Sequence, residues 1–411
     1  MTCRIRIVRV VARTNVGGPS LQITALMRGL DGSRFDQSLM RGTVEEGEAD
    51  YLELQAPDVV STVVPGLGRS VRPLDDVRAL LFLIKAFRRE RPVIVHTHTA
   101  KAGVLGRMAA IATRTPISVH TFHGHVLHGY FSPRVTKVVV LIERMLSRFT
   151  THIVAVGDQV RDDLLSAGIA RPDRASVVAP GVVKLEFRER VAALRALGLE
   201  DHDGRLAVMF VGRLTAIKRA ERFVQLARTM RDRKAPATFV VVGDGPLRAQ
   251  LETDAKDLDN LIFIGWQSDM ASVYAAADLL VLTSDNEGMP VALIEAAMQG
   301  VPAVSTAVGA VRQVVDDGVS GLLVPVGDQD ALAAAVHSLI NDVEKRRSMG
   351  EAAAARAEAL FSERRLVADY ELLYEELLAD VKSSRLAPRG SVGRHSRRRR
   401  GSSATERTRP H

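Results

Sequence analysis

Two glutamates eight residues apart, Glu287 and Glu295, bracket the stretch Glu287-Gly-Met-Pro-Val-Ala-Leu-Ile-Glu295. Pro290 suits an early helical position, which puts Glu287 in the loop before a helix and Glu295 about one and a half turns inside it. Two carboxylates so placed can accept hydrogen bonds from two different polyols, while Gly288 and the N–H groups of Met289 and Val291 suit a phosphate. A carboxylate in the apolar setting of Glu295 is costly unless it is paired or meets a ligand. Upstream, Arg213 and Lys218 stand five residues apart in Gly212-Arg-Leu-Thr-Ala-Ile-Lys218, where a strand-like run turns toward a helix. Two cations beside helix N–H groups can hold a diphosphate and stabilise it as a leaving group; a solvated surface pair is the alternative.

Three weaker motifs share this placement after a strand. Gly17 and Gly18, in Asn15-Val-Gly-Gly-Pro-Ser20, permit a tight turn and close approach to an anion at a helix start, or serve packing alone. The third glycine of a dinucleotide fingerprint is missing. Six of the eleven histidines fall between 96 and 128, as His96-Thr-His98-Thr-Ala-Lys101 and His120-Thr-Phe-His123-Gly-His125-Val-Leu-His128. Meeting at a cleft floor, they suit hydrogen bonds to sugar hydroxyls or phosphate. A metal site is the sharper alternative, but no carboxylate accompanies them at ligand spacing. Satisfied structural histidines are a third reading. Val241-Val-Gly-Asp-Gly-Pro-Leu-Arg248 is another glycine turn, and Ile262-Phe-Ile-Gly-Trp266-Gln267 ends a strand where backbone and a flat side chain can meet a nucleobase.

The elements that must position these motifs follow from the hydrophobic pattern, in which strand-like runs alternate with helical segments. Strands are predicted at 5–11, 59–63, 93–96, 118–121, 152–156 and 175–178, then at 206–211, 238–242, 261–264, 279–283, 303–305 and 322–324. The charged stretch 184–204 lacks strand character and marks a boundary. The expected fold is α/β: two Rossmann-like, doubly wound parallel-sheet domains, 1–183 and 205–345, facing each other across a cleft, with helices over 346–382 and an Arg-rich tail, 383–411, with almost nothing to bury and expected to be disordered. Ligands bind such sheets outside the carboxyl ends of the strands, where every motif above lies.

The 411 residues fit two domains of ordinary size. Composition bounds the partners. The chain has 56 basic and 48 acidic side chains, a formal charge of +8, but nine arginines against one acid lie beyond residue 382, leaving 47 of each sign before it. A specific nucleic-acid partner therefore does not follow; an anionic surface bound through the tail is the non-enzymatic alternative. Cys3 alone excludes an internal disulfide and points to a reducing compartment. No apolar run approaches the roughly 20 residues that span a bilayer, and the N-terminus lacks a signal-peptide core. The expectation is a cytoplasmic protein with peripheral contact at the inner face of the plasma membrane. Arg72, Arg78, Lys85, Arg88, Arg89 and Arg91 surround the apolar segment Leu80–Ile84, which suits either anionic lipid or a solvated helix over a packed core.

Glu287-x7-Glu295, preceded by Gly212-Arg-Leu-x3-Lys218 and Gly243-Asp-Gly-Pro-Leu247, resembles the retaining family 4 glycosyltransferases, proteins of the GT-B fold that use nucleotide-activated sugars. The likeness runs from Gly17 to Asp328. It implies that Arg213 and Lys218 hold the donor diphosphate, Glu295 the ribose hydroxyls, and Glu287 with Gly288, Met289, Pro290 and Val291 the donor sugar. Gly17 and Gly18 would meet the diphosphate from the opposite domain, and Gln267 the base. His123 matches the family histidine near the reacting centre, so the implied catalytic set is His123, Arg213, Lys218 and Glu287. His98, Lys101 and His125 are the candidate acceptor or sugar contacts. A last helix is expected to cross back onto the first domain. Two departures stand out: Pro180-Gly-Val-Val183 lacks the family's acid, and Gly309-Ala-Val-Arg-Gln313 replaces the usual Gly-Gly-x-x-Glu.

The implied reaction transfers a hexosyl-type sugar, with retention, from a UDP-sugar (GDP second) to a hydroxyl of a sugar, lipid-linked sugar or small molecule. Cell-envelope polysaccharide, glycolipid or small-molecule glycoside biosynthesis is the implied setting. The nucleotide sugar is a co-substrate and no cofactor is implied. No Asp-x-Asp follows a strand at the cleft, so transfer without metal is expected. A nucleotide-sugar epimerase of the same fold is the enzyme alternative.

Overall fold

The computed structural model describes residues 4–45, 48–124, 133–200 and 204–386. The first half runs β1 (Ile5–Val11), α1 (Gly18–Gly29), β2 (Phe35–Arg41), α2 (Tyr51–Gln55), β3 (Ser61–Val63), α3 (Pro73–Glu90), β4 (Ile94–His98), α4 (Ala100–Thr113), β5 (Ile117–Phe122), α5 (Pro133–Ser147), β6 (His152–Ala155), α6 (Asp158–Ser166) and β7 (Ala175–Val177). These strands form one parallel sheet in the order β3-β2-β1-β4-β5-β6-β7. Right-handed crossovers put α1 on one face and α3, α4 and α5 on the other. Accordingly Val8, Val10 and Val95 pack with Leu83, Phe87 and Leu105, while Ile7, Ile94 and Ile117 face the opposite way, toward Leu26.

β2 has no counterpart among the predicted strands. Its sequence, Phe-Asp-Gln-Ser-Leu-Met-Arg, is half polar because its polar side chains answer arginines of β1: Arg6 donates to Asp36 at 2.9 Å and Arg9 to Gln37 at 3.2 Å. The periodicity of an isolated strand does not carry that pairing.

The second half comprises α7 (Arg190–Ala196), β8 (Leu206–Val211), α8 (Ala220–Asp232), β9 (Ala237–Val242), α9 (Arg248–Asp254), β10 (Leu261–Gly265), α10 (Met270–Ala276), β11 (Leu279–Leu282), α11 (Val291–Met298), β12 (Ala303–Thr306), α12 (Val311–Val314), β13 (Gly321–Val324), α13 (Gln329–Asn341), α14 (Val343–Phe361) and α15 (Glu363–Leu386). Its six parallel strands run β10-β9-β8-β11-β12-β13.

Two boundaries differ from the sequence expectation. The stretch 184–204 contains α7, whose Ala193 and Leu194 are buried in the second domain's core and whose Arg190 pairs with Asp278 at 2.7 Å. Of the helices expected to cross back, α14 instead packs on α11, so closely that a Cβ on Gly350 would lie 2.2 Å from the Gly300 carbonyl. Only α15 reaches the first sheet, where Leu366, Tyr370, Tyr374 and Leu377 complete the core beside Ile7 and Ile94. The chain thus passes between domains twice at one place, and the Val182 N–H donates to Phe361 O at 2.8 Å. The Arg-rich tail, expected to be disordered from 383, begins later than that, since α15 continues through 383–386; from 387 onward it lies outside the described residues, as does Cys3.

Candidate active site

Each sheet has one pair of neighbours whose connections leave in opposite directions: β1 beside β4, and β8 beside β11. Such switch points open a crevice at the carboxyl ends of the strands. Gly17 and Gly18 follow β1, His98 ends β4, Arg213 and Lys218 follow β8, and Glu287 follows β11.

At the second switch point Lys218 Nζ donates to Glu287 Oε1 at 2.6 Å, and Ser284 Oγ donates to the same oxygen at 2.6 Å. The backbones of the two loops are tied together beneath this pair. Thr283 Oγ1 donates to the carbonyls of Lys218 and Arg219 at 3.0 and 2.9 Å, and the Asp285 N–H donates to Ile217 O at 2.9 Å. Arg219 adopts a left-handed conformation, φ 53, beside Glu221 and Asp285. Arg213 is exposed and has no partner among the described residues. Gly309 backs this loop with φ 50; a Cβ there would sit 1.8 Å from Glu287 O, so only glycine closes the turn.

Pro290 caps α11 and is buried, and Glu295 lies on the helix with its carboxylate accepting from Tyr274 Oη at 2.8 Å. Burial pushes the Glu295 carboxyl up to about 7, the tyrosine bond opposing that rise. Gln267 folds back on its own strand, donating to Ile264 O at 2.8 Å.

The histidines divide. His96 is fully buried, hydrogen-bonded at Nε2 to Thr121 Oγ1 and at Nδ1 to Tyr374 Oη, each at 2.7 Å. His120 points to the other face, meeting Thr97 Oγ1 at 2.8 Å beneath Gly103. These two are structural, so the expectation that the whole cluster lines the cleft is corrected: adjacent strand positions face opposite sides of a sheet. His98 and His123 do come together, Nδ1 to Nε2 at 3.0 Å, and the buried Nε2 of His98 has no partner among the described residues. Burial lowers His123 to about 3 and His98 well below the ordinary 6.5, so both are neutral. Lys101 is turned to α3, pairing with Asp76 and donating to Ser70 O at 2.6 Å. His125 lies outside the described residues. Among the described residues no cluster of His, Cys, Asp or Glu suits a metal ion.

The two halves meet along the cleft. A Cβ on Gly18 would touch Val291 at 3.3 Å, and one on Gly288 would lie 2.7 Å from the Gly124 Cα. Met289 reaches Gly157 and packs with the cores of both domains. Gln313, at the position where the resemblance expects an acid, donates across the cleft to Asp158 at 2.8 Å.

The Glycosyltransferase Family 4 profile matches residues 16–183, and that of Glycosyl transferases group 1 matches 199–356. N-acetyl-alpha-D-glucosaminyl L-malate synthase of Bacillus anthracis is 31% identical over 68% of this chain and 80% of its own length. The chain belongs to glycosyltransferase family 4. The UDP-Gal:alpha-D-GlcNAc-diphosphoundecaprenol alpha-1,3-galactosyltransferase of Escherichia coli is 29% identical to this glycosyltransferase, over 76% of it and 82% of the relative. HepE from Anabaena, solved with UDP and glucose, superposes with a TM-score of 0.77 at 19% identity, covering 90% of this chain and all of that one. The two domains are therefore a GT-B pair.

Sequence reasoning missed the residues that brace the glycosyltransferase site. Thr283 and Ser284 carried a signal, a polar pair closing an apolar strand just before Glu287. Tyr274 carried none, because it comes from α10, and only the fold brings it to Glu295.

Proposed function

We propose that this family 4 glycosyltransferase moves a hexosyl-type sugar from a UDP-sugar to an acceptor hydroxyl with retention of anomeric configuration. The setting we assign is the building of a cell-envelope polysaccharide, a glycolipid or a small glycoside. The observation that carries this reading is the Lys218–Glu287 pair, 2.6 Å apart at the β8/β11 switch point and backed by Ser284. The donor diphosphate lies against Arg213 and Lys218, with Gly17 and Gly18 approaching it from the first domain. Glu295 accepts from the ribose hydroxyls, Gln267 lies where backbone groups meet the base, and Glu287 with Gly288, Met289, Pro290 and Val291 binds the sugar. The uridine choice and the lipid-linked acceptor class draw on the donor and diphosphoundecaprenol acceptor named for the Escherichia coli relative.

The acceptor oxygen bonds to the anomeric carbon on the face from which the diphosphate departs, the carbon–oxygen bond to phosphate breaks, and the acceptor proton passes to a leaving phosphate oxygen. Arg213 and Lys218 supply the positive field that stabilises the departing charge, the work a divalent ion would otherwise do. His123, held neutral, hydrogen-bonds the donor sugar rather than acting as an acid. His98 orients His123 through the 3.0 Å contact between their rings.

The test is turnover of a panel of UDP- and GDP-sugars with and without sugar and lipid-linked acceptors, the product anomer read by NMR. A product with the donor's configuration and turnover unaffected by EDTA are expected. Inversion, or conversion of the donor to an isomer without acceptor as in an epimerase, would overturn the reading.

A further inference from the structure

Helix α5 carries apolar side chains where solvent would be. Leu146 packs inward, yet Val135, Val138, Leu141 and Met145 face outward, followed by Phe149; Leu141 is 67% and Phe149 62% exposed. Met108 and Ile111 of α4, which packs beside α5 on the same face of the sheet, widen the strip. A helix covering a sheet ordinarily turns a polar face outward, and a contiguous apolar strip marks a contact surface.

The charges interleaved with this strip have one sign. Arg134, Lys137, Arg144 and Arg148 interleave with the apolar positions, and among the described residues none of them pairs with a carboxylate. The helix's one acid, Glu143, is turned inward onto Arg107 at 2.7 Å. On neighbouring α6, Asp158 and Asp162 are bridged by Arg161. At the foot of α5 a cavity of about 520 Å³ is lined by Arg144, Arg148, Arg171 and Arg174 together with Ser147 and Thr150. Asp173 answers Arg171 at 3.0 Å and lies 3.9 Å from Arg174, while among the described residues Arg144 donates only to the Ala167 carbonyl, at 2.5 Å.

An apolar strip with cations between its teeth and an arginine cavity at one end matches a surface of acyl chains beneath phosphate headgroups. We propose that the outer face of α5 docks on an anionic phospholipid bilayer, with Val138, Leu141, Met145 and Phe149 among the acyl chains and a lipid phosphate in the arginine cavity. α5 starts at the carboxyl ends of the strands, ten residues after His123, so the docked bilayer lies beside the cleft. α3, the segment the sequence offered for this role, turns Leu83 into the core with Leu80 and Ile84 against it. The docking stands apart from the cleft residues and does not depend on the reading of the transfer reaction.

The test is co-sedimentation of the full chain with vesicles of phosphatidylcholine alone and of roughly three parts phosphatidylcholine to one part phosphatidylglycerol. Binding to the anionic vesicles only is expected. Leu141→Glu, Met145→Glu and Phe149→Glu together should lower it roughly tenfold or more, and Arg144→Gln with Arg148→Gln should lower it further as salt rises. All variants keep the basic tail and their turnover with soluble acceptors. Undiminished binding of the triple variant assigns the contact to the tail or another face and overturns the proposal. So does a dimer that the triple variant splits while neither form binds vesicles. If the triple variant fails to fold, amide exchange on the unaltered chain decides: slowing over 134–149 on adding anionic vesicles supports docking there, and no change overturns it.

Discussion

The two sheets share a topology and differ in what they bury. In the first, the central strands bury Arg9, His96, His98 and His120, and Arg9 donates to His96 and to Tyr374 at 2.9 Å with no carboxylate paired to it among the described residues. In the second, β8 and β9 bury chiefly Val, Met, Phe and Ala, and the charged groups, Lys218, Glu287 and Glu295, stand beyond the strand ends. The first domain is therefore held by polar groups that must remain neutral beside the buried Arg9 and the buried Arg107–Glu143 pair, and it is complete only when α15 brings Tyr370 and Tyr374. The second has its ionisable groups poised at the cleft. The difference teaches that the halves answer pH in opposite directions.

Acidification is the largest way to break this comparison. His96, His98 and His120 are held well below 6.5 by burial, with Arg9 or Arg107 adding to it, and His123 lies at about 3. Below pH 6.5 the unfolded chain takes up protons that the folded domain refuses, so stability falls as pH falls. Each histidine contributes a loss of about 1.4 kcal/mol per pH unit. Amide exchange should show β4 and β5 opening before β8 and β9 as pH drops through 6 toward 5. Simultaneous opening of both sheets would sink the distinction.

Removing the staple comes next. Tyr370→Ala or Tyr374→Ala should each cost about 3–5 kcal/mol, as truncation of a fully buried aromatic does. Tyr374→Phe should cost about 1–3 kcal/mol, by leaving Arg9 and His96 a partner short. Urea unfolding followed separately in each domain checks this, and the loss should be confined to the first.

Lys218→Ala is a smaller change in free energy but a larger one in rate. It removes a cation from the site and leaves Glu287 with Ser284 alone. A kcat/KM about 10²- to 10³-fold lower, with unfolding of the first domain unchanged, is expected. Turnover near the wild-type rate would refute the diphosphate role.

The contrast between domains also explains what was legible beforehand. Runs such as Leu206–Val211 and Ala237–Val242 announce strands of a doubly wound sheet because both faces are covered. The spacing of Arg213, Lys218, Glu287 and Glu295 survives in one dimension because each group follows its own strand. β2 was illegible because its polar residues are paid for by Arg6 and Arg9 on the next strand. His96 was misplaced because β4 runs two residues further than expected, to His98, and His120 because a position inside β5 faces one side of the sheet and does not reach the strand end. The outward face of α5 was hidden for a related reason: a stretch reading Val-Val-Val-Leu-Ile gives no sign of which side meets the core.

Glu295 offers the finest test. Its folded carboxyl titrates at about 7 against an ordinary 4.5, so between those values the folded domain keeps a proton that the unfolded chain has released. The stability contributed by this group is full below pH 4.5 and is lost as pH rises to 7, the reverse of the histidines. Affinity for UDP should move the other way, strengthening as pH rises through 7, because the ionised carboxylate makes charge-assisted hydrogen bonds to the ribose. Tyr274→Phe removes the one hydrogen bond that favours the ionised form, so the inflection should move upward by about one to two pH units. Glu295→Gln should abolish it. Calorimetric titration of UDP between about pH 5.5 and 9 reads both variants. An affinity flat across that range, or an inflection that Tyr274→Phe leaves in place, would remove Glu295 from the ribose and the contrast between the two halves with it.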